Sequence, residues 1–492
     1  MVVGMGWAGR LGVAAVVCVT FAGPAWAGPT DTPPAWEPPP VNMAALPGAP
    51  APGPPPGVTY VQQNQCVTSL GDDNRPLPGE PAAQSMLDIQ SAQQFTTGTG
   101  VKVAVIDTGV NPNPLLTDHG RLKPGGDYLT PKTSDGTVDC DGHGTLTAGI
   151  VAANTAHTGD GFIGVAPGAT IYAIRQTSGV YIGQKAGNQS VPAGTPSSLA
   201  AAIVHAVRLG VGVITTSVDT CLPADVAEAA MRTPGSPEQQ LQAAVTYAID
   251  HNVVVVNSAG NTSTQPEGGS QQPAGDQCAG IPQNDHADPN DVREIEFPAV
   301  FSDDLLSVAS VSPATGSVSK FSVWGPWVNI AAPGEGIVSV NPAVNGRGLA
   351  QLFAEPGSNS QPGPIQGTSF AAPYVAGVVA LVRARFPRLT ARQVIARVEA
   401  TAQHPTGPGG RNNQIGYGII NPVAALTEAV PGQNGVPSVG DSSVPVRLPE
   451  AHAKDWTPVR VALAGSGVAV ALLLVTYFAV RTVRRRRPGD PL

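Results

Sequence analysis

The chain has 492 residues, 42% of them hydrophobic and 13% charged, which is enough to bury a large core. Its net charge is −8, and the basic ends hide part of the acidity, because residues 11–480 sum to −13. An acidic body argues against nucleic acid or anionic lipid as the partner of the main domain.

Met1 to Ala27 has a short N-region ending in Arg10, an apolar run from Leu11 to Gly23, and the small-x-small stretch Ala25-Trp26-Ala27. This is the layout of a secretory signal peptide over residues 1–27, with an uncleaved anchor as the alternative. Residues 28–95 read as a Pro-rich extension. Its first part, Gly28 to Gly57, holds 12 Pro and favours extended polyproline-like backbone. Residues 96–430 read as the main folded domain, although its order is expected to begin near Thr59. Residues 431–458 are a Pro, Gly and Ser-rich linker. Residues 459–480 contain the uncharged run Val461–Val480, long enough for a helix to cross a bilayer. The tail, 481–492, starts with Arg481 and Arg484 to Arg487, and positive charge at that flank places it in the cytoplasm. The expected product is a single-pass protein of the cytoplasmic membrane with its body outside. There is no internal repeat.

Within the body, Val101–Ile106 predicts a strand, Gly144–Ala153 a helix and Ala169–Ile174 a strand. Ser197–Leu209 predicts a helix, with apolar positions at i, i+3 and i+4. Val211–Ser217, Val253–Ser258, Leu305–Val311 and Val328–Ala331 read as further strands. Glu238–Asn252, Ser369–Phe386 and Ala391–Thr401 read as helices. Alternating helices and near-continuous apolar strands specify an α/β fold with a mostly parallel sheet covered on both faces. Polar insertions interrupt it at Gln176–Pro196, Thr262–Glu296 and Asn341–Pro364. Ligands of such sheets bind at the loops beyond the strands' carboxyl ends.

Four motifs fall at those ends. Val105-Ile106-Asp107-Thr108-Gly109 ends a buried strand in a carboxylate, although a turn-forming Asp is the ordinary explanation. Asp141-Gly142-His143-Gly144-Thr145 opens a helix with a histidine between glycines, where backbone and substrate can approach closely. Ser258-Ala259-Gly260-Asn261 ends another strand in an amide that could donate to an oxyanion. Gly367-Thr368-Ser369-Phe370-Ala371-Ala372-Pro373 sets a serine in the first turn of a long helix, beside unpaired N–H groups and the positive helix end. An ordinary capping serine would look similar. Together, in one α/β body, the four point to acyl transfer by a Ser-His-Asp set. Cys18 lies in the leader, which leaves Cys66, Cys140, Cys221 and Cys278 and three possible pairings in an oxidising compartment. No CxxC spacing and no acidic calcium loop occurs, so no metal and no cofactor is expected.

The order Asp, His, Ser is that of subtilisin. On these motifs the chain resembles a subtilase, and the layout is similar to that of a mycosin, the subtilisin-like protease of type VII secretion systems. The shared layout is a leader, a Pro-rich extension, a Cys just before the His motif, and a C-terminal membrane segment with a basic tail. The resemblance implies a three-layer subtilisin-like fold, a protein substrate and a type VII secretion membrane complex as partner. It implies Ser369 as nucleophile, His143 as base and Asp107 as its orienting partner, with the Asn261 amide and the Ser369 N–H as oxyanion donors. It also implies the pairs Cys66–Cys140 and Cys221–Cys278, with the extension stapled near His143. Three departures stand out. Asp219 occupies the place of a Gly at the substrate edge Ser217-Val218-Asp219. Asn257-Ser258 replaces the usual Ala-Ala. The extension is short for a folded inhibitory prodomain. Mycosins are associated both with proteolysis and with support of the secretion complex, so both expectations stand.

Overall fold

The computed structural model describes residues 36–48, 51–67, 77–187, 189–262, 284, 291–354, 356, 362–406, 408–433 and 470–482. The chain divides into two compact units, one ending at Asn434 and one beginning at Gly435. In chain order the first unit contains β1 (Thr59–Gln62), α1 (Ala82–Leu87), α2 (Ile89–Gln93), β2 (Lys102–Asp107), α3 (Pro114–Thr117), β3 (Leu122–Asp127), α4 (His143–Ala152), β4 (Thr170–Arg175), β5 (Ser178–Lys185) and β6 (Gln189–Ala193). There follow α5 (Pro196–Arg208), β7 (Val213–Thr216), β8 (Thr220–Pro223), α6 (Ala224–Arg232), α7 (Pro237–Asp250), β9 (Val254–Ser258), β10 (Glu294–Phe297), β11 (Leu306–Val311), β12 (Ile330–Pro333), α8 (Thr368–Arg385) and α9 (Ala391–Ala400).

Seven strands form one sheet in the order β12-β11-β9-β7-β2-β4-β3, and every neighbouring pair is parallel. Side chains alternate across it with period two. Val103, Val105, Val213, Val254 and Val256 face the core shared with α4 and α8. Ala104, Ile106, Ile214 and Val255 face the core shared with α5 and α7. The strands read as unbroken apolar runs because both faces are covered. Every residue of α8 from Phe370 to Val382 is buried, as expected of a helix that is apolar all round. Gly377 makes this possible: a Cβ there would lie 2.5 Å from the Val165 side chain.

The α/β fold with its parallel sheet is as read from the sequence. The insertion 176–196 differs from expectation. It folds as the β5–β6 hairpin, and β1 from the extension adds antiparallel to β5 as a third strand. The later extension also belongs to the body, because Ala83, Leu87, Ile89 and Ala92 of α1 and α2 enter the α8 core. The insertion 341–364 supplies short antiparallel pairings, Val340 with Leu349 and Phe353 with Gly363. Most of 262–296 lies outside the described residues, as do the leader 1–27 and the tail from 483. In the second unit, residues 470–482 are helical. Among the described residues no helix is long and apolar enough to cross a membrane. Residues 461–469 of the expected span lie outside the described set.

Candidate functional site

Asp107 ends β2 and His143 opens α4, both at the carboxyl edge of the sheet. His143 Nδ1 lies 2.8 Å from Asp107 Oδ1. The Asp107 side chain is 3% exposed and that of His143 23%, so the carboxylate is sheltered while the imidazole opens outward. Asp107 Oδ1 also accepts from the Thr108 N–H at 2.7 Å. The close approach of the two segments requires glycine at Gly144. A Cβ there would lie 2.1 Å from Gly109 O and 3.0 Å from Asp107 Cβ.

Ser369 lies in the first turn of α8 and is half-buried. Its neighbour Phe370 packs on the His143 ring, with centroids 4.9 Å apart, so that turn and the imidazole share one site. Gly367 precedes it at φ 147°, which only glycine adopts freely. Pro373 stands four residues beyond Ser369 and has no N–H, so the Ser369 carbonyl lacks its helical partner. Ser217 fills that vacancy: its Oγ donates to Ser369 O at 3.2 Å, tying the end of β7 to the head of α8. Sequence reading placed Ser217 at the substrate edge and missed this bond, although the Ser-x-x-x-Pro spacing at 369–373 signals a free carbonyl.

Asn261 follows β9. Its Oδ1 accepts from Thr368 N at 3.0 Å and Thr368 Oγ1 at 3.1 Å. A backbone N–H can only donate, so the amide oxygen must face Thr368, and its NH₂ lies on the opposite edge of the side chain. The fold therefore gathers Asp107, His143, Asn261 and Ser369 at one end of the sheet. Asp219 is half-buried just before β8. A residue not singled out from sequence is Glu296 on β10. It is 1% exposed, and its Oε1 lies 2.5 Å from where a Cβ on Gly260 would sit.

The turn before His143 is anchored residue by residue. Cys140 is disulfide-bonded to Cys66, as the resemblance implied. Val67 N donates to Cys140 O at 2.8 Å. Asp141 accepts from Ser178 Oγ and from the Gly179 and Val180 N–H groups, which locks the turn to β5. Cys221 is disulfide-bonded, but its expected partner Cys278 lies outside the described residues. Among the described residues no group of three or more His, Cys, Asp or Glu could hold a metal ion.

Asp139 is fully buried beneath this turn. Burial pushes its carboxyl up to about 6, and the neighbouring charge of Asp141 adds to the rise, against the pull of its hydrogen-bond donors. An unfolded aspartate titrates near 3.9. Between about 4 and about 6 the native protein therefore holds a proton that the unfolded chain has lost. The contribution of this group to stability falls as pH rises through that window. Asp139→Asn is expected to flatten that part of the melting-temperature profile. A variant profile with the wild-type slope would contradict the assignment.

The subtilase family model matches residues 98–418. Mycosin-3 of Mycobacterium tuberculosis is 40% identical, over 93% of this chain and 95% of its own. Mycosin-1 of Mycolicibacterium smegmatis is 38% identical, over 93% and 96%. The crystal structure of MycP1 from the ESX-1 type VII secretion system aligns with a TM-score of 0.67 at 36% identity, covering 80% of this chain and 98% of that one. A chain of the intact ESX-5 inner membrane complex also aligns at 0.67, with 34% identity over 91% of this chain and 100% of that one. With a family model across its sheet and mycosin relatives along nearly its whole length, this chain belongs to the subtilase family, and within it to the mycosins.

Proposed function

We propose that the chain is a serine endopeptidase that cuts a protein substrate at the outer side of the cytoplasmic membrane as part of a type VII secretion system. Ser369 Oγ attacks the scissile carbonyl. His143 takes the Oγ proton and later delivers it to the leaving amine. Asp107 holds the imidazole tautomer through Nδ1 and stabilises the imidazolium. The Asn261 NH₂ and the Ser369 N–H at the head of α8 stabilise the oxyanion. The observation that carries this reading is the 2.8 Å His143–Asp107 pair, whose ring packs on the residue next to Ser369.

The membrane placement rests on the apolar run 461–480 followed by five arginines, and on the leader 1–27. A second reading, support of the secretion complex without proteolysis, draws on the relative in the ESX-5 inner membrane complex, which matches along its full length. One experiment addresses both. Cells lacking the protein are complemented with wild type, with Ser369→Ala or with a chain ending at Gln433, and secreted substrates and membrane fractions are compared. Loss of substrate processing with secretion retained in Ser369→Ala is expected. The truncated chain is expected to leave the membrane fraction. If Ser369→Ala processes substrate like wild type, the protease reading fails. If the truncated chain stays membrane-bound, the anchor reading fails.

A further inference from the structure

The carboxylate of Asp139 reaches two segments that must meet for His143 and Asp107 to pair. Its Oδ1 accepts from Thr108 Oγ1 at 2.9 Å and from Gly142 N at 2.7 Å. Its Oδ2 accepts from Thr145 N at 2.8 Å and from Thr145 Oγ1 at 2.6 Å. Thr108 directly follows Asp107, while Gly142 and Thr145 flank His143. The Thr108 hydroxyl acts twice, donating to Asp139 and accepting from Gly144 N at 2.9 Å. Asn111 closes the circuit: its N–H donates to Thr145 Oγ1, and its side-chain amide pairs with the backbone of Asp139 in both directions.

Local chemistry explains why a carboxylate is needed. α4 begins after Gly142, which offers no side chain to cap it. The orphan N–H groups of a first turn need an acceptor, and negative charge there is favoured by the helix dipole. A capping Ser or Thr would satisfy one such donor. Asp139, three residues upstream, takes the Gly142 and Thr145 amides on separate oxygens and has a lone pair left on Oδ1 for Thr108. The cap of α4 is thereby joined to the end of β2.

We infer that Asp139, acting through Thr108, is a positioning residue that sets the His143–Asp107 geometry, beyond the direct bond between the two. The inference rests on the peptidase reading above. Asp139 touches no substrate. Its effect belongs in the alignment of the reacting groups, where a misplacement of about 1 Å costs about 10²-fold in rate. The change is expected in kcat, because neither residue lies on the substrate edge at Ser217–Asp219.

The test uses the full-length protein and three variants, Asp139→Asn, Thr108→Val and Thr108→Ser. Each is followed by peptide hydrolysis and by the rate of labelling with a fluorophosphonate, which reacts with an activated serine. Thr108→Val keeps the shape and removes the hydroxyl, while Thr108→Ser keeps the hydroxyl. We expect Asp139→Asn and Thr108→Val to lower kcat and the labelling rate about 10- to 100-fold with KM within about twofold, and Thr108→Ser to restore most of the loss. Asp139→Asn perturbs a buried cap, so Thr108→Val carries the decision if that variant does not fold. A folded Thr108→Val with wild-type kcat overturns the proposal. So does a Thr108→Ser as slow as Thr108→Val, or a loss confined to KM. Wild type that neither labels nor hydrolyses would instead overturn the peptidase reading itself.

Discussion

Ser369→Ala is expected to remain folded, to resist fluorophosphonate labelling and to lose peptide turnover by about 10⁶-fold, a magnitude known for a subtilisin rather than computed from this chain. The change removes one hydroxyl from a half-buried side chain. Among the described residues, no hydrogen bond that holds the α8 head runs through Ser369 Oγ. Ser217 binds the Ser369 carbonyl, and Asn261 binds Thr368, both of which the variant keeps. Its stability should therefore stay within about 0.5 kcal/mol of wild type. Chemistry has no substitute nucleophile in that turn, since Thr368 is fully buried and its hydroxyl bonds Asn261. Binding is expected to survive, because the proposed oxyanion donors and substrate edge are unchanged, so KM should change little. The measurement is kcat and KM on a peptide cleaved by wild type, with thermal unfolding alongside. Turnover within about tenfold of wild type would rule out Ser369 as the nucleophile.

The site was legible in sequence because each of its parts is local. Asp107 ends an apolar run, and His143 and Ser369 each follow a glycine at a helix start. The structure needs those glycines, at φ 87° for Gly142 and 147° for Gly367. The central sheet was legible for a related reason: strands buried on both faces are apolar without a break. What was not legible depends on partners distant in sequence. β3 contains Pro124, Gly125 and Gly126 and carries a register shift, so its residues argue against a strand while its position beside β4 makes one. β5 and β6 look like a polar insertion until β1, more than a hundred residues earlier, supplies an edge. Asp139 looks like one more loop carboxylate, because Thr108 lies 31 residues away along the chain. Ser217 was placed at the substrate edge, but its bond to Ser369 O spans 152 residues.

Opening the Cys66–Cys140 bridge separates the two ways in which the His143 turn is held. The bridge closes a loop with a sequence separation of 74 residues. Loop-closure entropy for that length gives a loss of about 4 kcal/mol for Cys66→Ser, before any residual structure of the unfolded chain reduces it. For a domain of this size that lowers the melting temperature by about 5 °C. The extension should loosen without detaching. β1 keeps its ladder to β5, and Gln242 Nε2 still donates to Pro39 O at 2.9 Å. His143 is a different matter, because Cys140 anchors the turn from outside while Asp139 and Asp141 anchor it from within. Asp139 binds Gly142 and Thr145, and Asp141 binds the start of β5, without help from Cys66. The expected result is a less stable enzyme, more readily degraded by added protease, with kcat within about threefold of wild type at a temperature where both are folded. A kcat loss beyond about tenfold under those conditions would mean that the covalent clasp, and not the carboxylate beneath it, aligns the imidazole. Stability and alignment would then be one property of the clasp. In the arrangement seen here they are two, with the disulfide adding stability and the buried aspartate holding the histidine in place.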